Sequence, residues 1–547
     1  MKTRLVFLAV NASYAHTSLA AWLLKASADP ADWDWHTVET AVPDAVPAVL
    51  ERVCALKPDV LAVTFYLFNR PWLNEFLARF RALSPRTCVI GGGPEWLGDC
   101  TAFFEPRPLV DAGIRGEGEL AFRQWLKVWD QPVEWNAIPG VVRMEQGRLR
   151  DPGEEAERPA PESIPSPYTR ECVGFEKPFV LLETSRGCRG ACLFCTSGRG
   201  GGVRVLPPER VRGDLQAIRA AGIREVRVLD RTFNDEDTRA VELLDLFRME
   251  CPDARFHLEI EPAAVSDRLV EAMCRFMPGR LHVEAGVQSL DEAVMRQVGR
   301  RGTSAQVVTG LQRLAGVWGL EVHVDLIAGL PGGTWDGVVQ DLTLLTLLGV
   351  AEIQLEVLKL LPGTRLASIR QRWSLVASPV PPYEVMSTAS FPAEDLWRAA
   401  RLSRVVDGFH NQTALRPMVR KACMMIPGFW AGLADAVDAD GGVREGLSLR
   451  KRFRLFKRFL EARQPDLVPE LVAAWYRRDN GIDEELAPAR MWRGPVPEGV
   501  RLVEGEAGVF DRVVMVDGPP ARYYAFRVEP NGQRRLAAVF EGPSASI

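Results

Sequence analysis

Along the first 130 or so positions, apolar residues gather in short unbroken runs separated by amphipathic stretches. The runs cover residues 5–10, 60–65 and 88–90, and the stretches 18–26, 45–56 and 71–83 between them repeat their apolar positions at helical spacing. A further run, 36–41, is weaker. Strand-sized runs alternating with helices predict parallel βαβ units joined by right-handed crossovers, the Rossmann-like arrangement. Ligands of such a sheet sit beyond the carboxyl ends of its strands. Those ends carry Asn11-Ala12-Ser13-Tyr14-Ala15-His16, Thr64-Phe65-Tyr66, Gly91-Gly92-Gly93-Pro94-Glu95 and Arg115-Gly116-Glu117-Gly118-Glu119.

A second series follows. Strand-like runs at 179–182, 225–229, 255–260, 281–287, 321–327 and 352–358, separated by helical segments, predict an α/β barrel of the TIM type, six-stranded and incomplete. Between the two series, residues 151–168 hold five prolines and few large apolar side chains, the pattern of a linker. Beyond about residue 378 the pattern turns to helices, 393–406 and 451–463 among them, and residues 500–540 alternate like a small antiparallel unit. The expected organisation is therefore a first domain over 1–135, a linker over 136–177, a barrel over 178–377 and a mainly helical domain with a β tail over 378–547.

Composition narrows the class. At 547 residues the chain exceeds one core, and 47% hydrophobic with 25% charged residues is ordinary for a globular protein. The apolar run after Met1-Lys2-Thr3-Arg4 reads as a first strand, too short for a secretion signal, and no run is long enough to span a membrane. A formal charge of -4 gives no field for nucleic acid or an anionic membrane. The basic run 450–458 carries apolar residues at helical spacing and reads as the solvated face of a helix. A cytoplasmic protein with no nucleic-acid or membrane partner is expected.

Ten cysteines are too sparse for a disulfide framework, yet three fall within eight residues. The segment Cys188-Arg189-Gly190-Ala191-Cys192-Leu193-Phe194-Cys195 has the spacing C-x3-C-x2-C. Three thiolates on one loop hold three irons of a cubane and leave the fourth iron open to a chelating substrate. A structural zinc site normally needs a fourth ligand, and no Cys or His lies nearby. The loop follows the first strand of the second series, so it belongs at the mouth of the barrel.

The segment resembles the radical S-adenosylmethionine (SAM) signature. The resemblance implies a [4Fe–4S] cluster on Cys188, Cys192 and Cys195, whose open iron binds SAM and yields a 5′-deoxyadenosyl radical. It also implies SAM contacts from Phe194, beside the adenine, and from the strand-end residues Asp230, Thr232, Glu259, Glu284, Gln288 and Asp325. Phe194 is equally compatible with plugging the loop into the barrel. The first domain resembles the cobalamin-binding domain of class B radical SAM enzymes, which implies corrin contacts from Asn11, Ser13, Tyr14, His16, Thr64, Phe65, Tyr66, Gly92, Gly93, Glu117 and Gly118. The motif Asp-x-His-x-x-Gly, which supplies a lower axial histidine elsewhere, is absent, so cobalt without a histidine beneath it is expected; His16 reads as a helix-start histidine. Residues 356–364 and Pro381-Pro382-Tyr383-Glu384-Val385 resemble a subgroup with an extension domain of unknown function after the barrel.

These resemblances imply a cobalamin-dependent radical SAM methyltransferase. It would act on an unactivated carbon of a small molecule or natural product, with electrons from a flavodoxin or ferredoxin. Two alternatives stay open: a cobalamin-dependent cyclisation or rearrangement without methyl transfer, and a radical SAM methylthiotransferase. The latter needs a second cluster, for which Cys54, Cys88 and Cys100 are available, although Cys54 falls on a helix pattern and Cys88 within a strand.

Overall fold

A computed structural model describes residues 2–28, 33–105, 107–170, 172, 174, 176–197, 202–442, 446–478, 480–492, 500–506, 508, 510–518, 520–529 and 533–542. The chain divides into two compact units, 1–335 with 357–396, and 336–356 with 397–547.

The first unit opens with the predicted parallel sheet. β1 (Thr3–Asn11), β2 (Trp33–Ala41), β3 (Val60–Thr64), β4 (Cys88–Gly92) and β5 (Ala112–Ile114) run parallel. β6 (Val141–Glu145) and β7 (Arg148–Arg150) extend the sheet antiparallel, giving the order β2-β1-β3-β4-β5-β6-β7. The linker expected over 136–177 is thereby corrected: its first part is a hairpin of this sheet, and Val142 is buried in the same core as Val6, Leu61 and Val89. Residues 171, 173 and 175 of that stretch lie outside the described residues. Trp96 is fully buried and stacks on Phe103 at 4.2 Å. Gly91 and Gly113 make room for it, since a Cβ would lie 2.7 Å and 2.0 Å from its ring.

The second sheet of this unit is the predicted barrel series. β8 (Val180–Leu182) leads into β9 (Ser185–Arg186), which pairs antiparallel with β10 (Arg204–Val205). β11 (Glu225–Val228), β12 (Arg255–Ile260), β13 (Leu281–Gln288) and β14 (Glu321–Ala328) then pair in parallel succession, with β11 also on β8. The predicted sixth strand, β15 (Glu352–Val357), also forms, and all but its last residue belong to the second unit. Burial alternates strictly along β12 and β13, as strands with one covered face require. Phe256, on the covered face, stacks on Phe247 of the helix Asp237–Glu250 at 4.5 Å. The opposite face, toward the barrel interior, carries His257, Glu259, His282, Glu284 and Gln288. The boundary expected at 377/378 shifts too, because 357–396 belong to the first unit.

The second unit is mainly helical, with Arg416–Met425, Phe429–Ala439, Leu449–Arg463 and Val468–Tyr476 among its helices. On Leu449–Arg463, Phe453, Phe456, Phe459 and Leu460 are buried. Arg454 pairs with Asp483 at 3.0 Å and Arg458 with Asp440 at 2.7 Å, so the basic run is an ion-paired helix face. The tail is a five-stranded antiparallel sheet that begins earlier than expected, at Ala489–Trp492, and ends with Arg534–Gly542. Parts of 500–540 lie outside the described residues. No helix among the described residues is long and apolar enough to cross a membrane. The architecture is α/β: a Rossmann-like domain, a partial (β/α)6 barrel and a helical C-terminal region with a β tail.

Candidate functional site

The cysteine loop leaves β9 and is held on both sides by backbone hydrogen bonds. Leu193 N donates to Val298 O at 2.9 Å and Leu366 N donates to Leu193 O at 2.8 Å. Leu193, not Phe194, is the buried residue of the loop, so the plugging role belongs to Leu193 and Phe194 stays half-buried. A cavity of about 820 Å³ opens beside the loop, lined by Cys188, Arg189, Gly190 and Ala191 and by Gly363 and Thr364.

Each thiol has a partner. Gly190 N donates to Cys188 Sγ at 3.2 Å, Ser197 N to Cys195 Sγ at 3.4 Å, and Arg300 Nη1 to Cys192 Sγ at 3.7 Å. Cys188 Sγ also lies 3.5 Å from Thr232 Oγ1. Burial pushes the Cys192 thiol up and Arg300 opposes that. Three thiols on one loop, two of them beside Gly190, with N–H donors aimed at the sulfurs, suit thiolate ligation of an iron–sulfur cluster. Cys54, Cys88 and Cys100 do not form a second such set: Cys54 is on the helix Val46–Ala55, Cys88 opens β4, and Cys100 is buried with Arg115 Nη2 donating to it at 3.3 Å.

Asp230, an expected SAM contact, is fully buried. Its carboxylate accepts from Thr184 N (2.8 Å), Thr184 Oγ1 (2.6 Å), Ser185 N (3.0 Å), Ser185 Oγ (2.6 Å) and Arg239 (3.1 Å). Asp230 therefore positions the strand that launches the cysteine loop. Thr232 stays beside Cys188. Glu259 lies 3.6 Å from Arg231, and burial holds its carboxyl above the usual range. Glu284 accepts from His257 at 3.1 Å and is held below it; Asp325 lies 3.4 Å from His323. Gln288 ends β13 with φ +67°. Together with the His257–His282 contact at 2.6 Å, these residues make the barrel interior strongly polar.

In the first sheet the expected corrin contacts divide. Phe65 is fully buried against Phe103 (4.8 Å) and belongs to the core. Gly93 meets its own chain, since a Cβ there would lie 2.6 Å from Phe65 O, whereas Gly92 is open. Thr64 is buried, its carbonyl accepting from Asn69. Tyr14 turns its hydroxyl to Asp44 at 2.8 Å. Asn11 bonds His16 O, and Ser13 shares a 2.8 Å hydrogen bond with His16 Nδ1. The His16 ring meets Phe179 edge-on at 5.2 Å, and burial, with Arg227, lowers its pKa. Tyr66 stacks on Phe68 at 5.3 Å, and burial beside Glu183 raises its pKa.

Glu117, an expected corrin contact, is engaged by two arginines. It accepts from Arg186 Nη1 at 2.9 Å and from Arg204, so it ties the first sheet to the strand before Cys188. Arg186 also pairs with Glu119 (2.7 Å) and Glu183 (2.9 Å). Gly118 opens the following helix, where a Cβ would lie 3.4 Å from Leu24. Two residues outside the expected site complete the frame. Asn69, fully buried, accepts from Tyr66 N and donates to Val10 O and Thr64 O, binding the ends of β1 and β3 together. Arg300 braces Cys192. Asn69 had a visible signal, a polar residue closing a strand-end aromatic motif; Arg300 had none.

Comparisons with known proteins match three successive stretches of the chain. Residues 5–126 match the B12 binding domain, 182–345 the radical SAM superfamily, and 371–480 a protein of unknown function, DUF4080. An uncharacterized methyltransferase, PH0819, of Pyrococcus horikoshii is 28% identical over 291 residues, 51% of this chain and 62% of that protein. The cobalamin-dependent radical SAM methyltransferase TokK of Streptomyces tokunonensis is 26% identical over 50% of this chain and 43% of its own length. The matches thus span roughly half of these curated relatives. The cobalamin-dependent SAM radical enzyme OxsB, with aqua-cobalamin and SAM bound, shares the fold at a TM-score of 0.63 and 13% identity, over 88% of this chain and 83% of that one. From its N-terminal to its C-terminal part the chain thus matches, in succession, a B12-binding domain, a radical SAM domain and a DUF4080 region.

Proposed function

We propose that this chain is a cobalamin-dependent radical SAM methyltransferase that methylates an unactivated carbon of a small molecule. One observation carries the reading: Arg186, two residues before Cys188, is fastened to Glu117 and Glu119 of the B12-binding domain. The strand ends of that domain and the cysteine loop are therefore neighbours in one compact unit, as methyl transfer between two cofactors demands. When bound, a cluster on Cys188, Cys192 and Cys195 with SAM supplies a 5′-deoxyadenosyl radical, and cobalamin supplies the methyl group.

The protein's own part is orientation and exclusion of water. Thr232 borders Cys188, and Glu259, Glu284, Gln288 and Asp325 line the interior where SAM and substrate meet. Asn11, Ser13, His16, Tyr66 and the open Gly92 offer the corrin its surface. His16, engaged by Ser13 and packed on Phe179, acts as a hydrogen-bonding and packing residue. A small acidic electron carrier of the flavodoxin or ferredoxin type delivers the electron, and the reducing cytoplasm suits the free thiols.

The test is anaerobic purification of the full chain with cobalamin, followed by iron and corrin counting and assay of SAM cleavage. About four irons and one corrin per chain are expected. Cys188→Ala, Cys192→Ala and Cys195→Ala should each abolish 5′-deoxyadenosine release and keep the corrin. About eight irons would favour a methylthiotransferase, and a chain that assembles its cluster but never retains a corrin would overturn the reading.

A further inference from the structure

The three cysteine sulfurs are not held alike. Cys188 and Cys195 each receive a neutral backbone N–H from the residue two positions on, Gly190 and Ser197. Cys192 instead receives the guanidinium of Arg300, 108 positions away. The chain takes trouble to deliver that group. Residues 298–300 follow the helix Glu292–Gln297, and Val298 O accepts from Leu193 N at 2.9 Å. Gly299 has φ +75°, and a Cβ there would lie 2.6 Å from Ala191 O, so only glycine lets this segment lie flat on the cysteine loop.

Arg300 is aimed as well as placed. Nη2 donates to Glu261 Oε2 at 2.8 Å and to Gly286 O at the end of β13, which leaves Nη1 for Cys192. Glu261 is itself fixed by a reciprocal pair with Asn234, N to Oδ1 at 2.8 Å and Nδ2 to O at 3.0 Å. Arg300 Nε is buried and has no acceptor among the described protein atoms. A buried guanidinium N–H without a protein acceptor fits a negatively charged group arriving beside Cys192.

We propose that Arg300 sets the reduction potential of the cluster, raising it through a charged hydrogen bond to the Cys192 thiolate, with Glu261 as its counterweight. This rests on the cluster reading above. Reduction adds one negative charge to a centre already bearing three thiolates, so a guanidinium at one sulfur stabilises the reduced state more than the oxidised one. Glu261 pairs with the other terminal nitrogen of the same guanidinium and offsets part of its charge. The two residues therefore push the potential in opposite directions.

The test is a redox titration of the anaerobically reconstituted full chain without SAM, followed by the EPR signal of the reduced cluster. Wild-type chain with four irons and a one-electron signal establishes the cluster independently of Arg300. Arg300→Met is expected to lower the reduced-to-oxidised ratio at fixed potential about tenfold, a fall of about 59 mV for one electron. Arg300→Lys, which keeps the charge, should recover most of that. Glu261→Gln should shift the midpoint upward. An Arg300→Met protein with full iron and an unchanged midpoint overturns the proposal, as do Arg300→Met and Glu261→Gln shifts of the same sign. If Arg300→Met assembles no cluster, the upward shift of Glu261→Gln and a wild-type-like Arg300→Lys decide, and their failure counts equally against it.

Discussion

Single residues in this protein show how far a buried polar group is committed by its own neighbours. Asp230 takes five donors and Asn69 makes three hydrogen bonds, so each is a bracket between strands. The barrel interior is different, because His257, His282, His323 and Glu284 meet there as a cluster of titratable side chains. Burial, helped by His257, Arg255 and His323, lowers the His282 pKa from 6.5 to about 4. A histidine lowered in this way binds fewer protons folded than unfolded. Its penalty is absent above pH 6.5, grows as pH falls, and is complete below about 4. Glu284, held down by its hydrogen bond from His257, loses stabilising charge in the same direction at lower pH. Stability should therefore fall from pH 6.5 towards 4, by on the order of 3 kcal/mol from His282 alone. Thermal midpoints across that range check it. The His282→Gln protein should show a flatter acid limb, and a wild-type slope in that variant would remove His282 as the cause.

At the scale of elements, the hairpin β6–β7 decides where the first domain ends. Gln146 and Gly147 form its two-residue turn with φ of +48° and +75°, the twist that suits a tight antiparallel hairpin. Arg115 N donates to Gly140 O and Ala156 N to Arg115 O, so the stretch to residue 156 is hydrogen-bonded to the domain. A fragment ending at residue 135 should expose the edge of β5 and take Val142 out of the core, at about 1.5–3 kcal/mol for each buried apolar side chain lost. Size-exclusion chromatography should find it aggregated and a fragment ending at 158 monomeric; equal behaviour would mean that the hairpin adds nothing. The elements themselves were legible where runs were long: β1, β3, β12 and β13 fall within a residue or two of their apolar runs. The hairpin was hidden because its strands are short and its turn lacks Asn or Asp before glycine. The cysteine loop was legible because its ligands are local. What sequence spacing does not carry is a partner far along the chain. Glu117 reads as a ligand contact until Arg186 and Arg204, 69 and 87 positions on, are seen to engage it. Phe65 likewise reads as a strand-end contact until Trp96 and Phe103 close over it.

Over the whole molecule, two charged networks of the first unit help to fasten the B12-binding domain. In one, Arg70 Nη1 donates to Glu95 at 2.6 Å and to the Tyr383 hydroxyl, which in turn donates to Glu95 at 2.5 Å. In the other, Arg186 and Arg204 face Glu117, Glu119 and Glu183. The second is the more consequential, since Arg186 precedes the cysteine loop and is itself almost fully buried. Burial works against its charge, but Glu183 and Glu119, and then Glu117, outweigh that and hold its pKa above the ordinary arginine value. The cluster of charges makes its two sides unequal. Glu117→Gln leaves two arginines with two carboxylates and an amide that still accepts a hydrogen bond, so a loss of no more than about 1–2 kcal/mol is expected. Arg186→Met leaves three carboxylates, Glu119 buried and Glu117 and Glu183 half-buried, around one remaining arginine, and roughly 3 kcal/mol should go. Thermal midpoints of the two variants, with corrin retention measured alongside, separate the cases. A large gap, with corrin loss in Arg186→Met, is what a clamp between the two cofactor sites requires. Equal midpoints would reduce the network to a surface ion pair and take away the physical reason for holding the corrin domain against the cysteine loop.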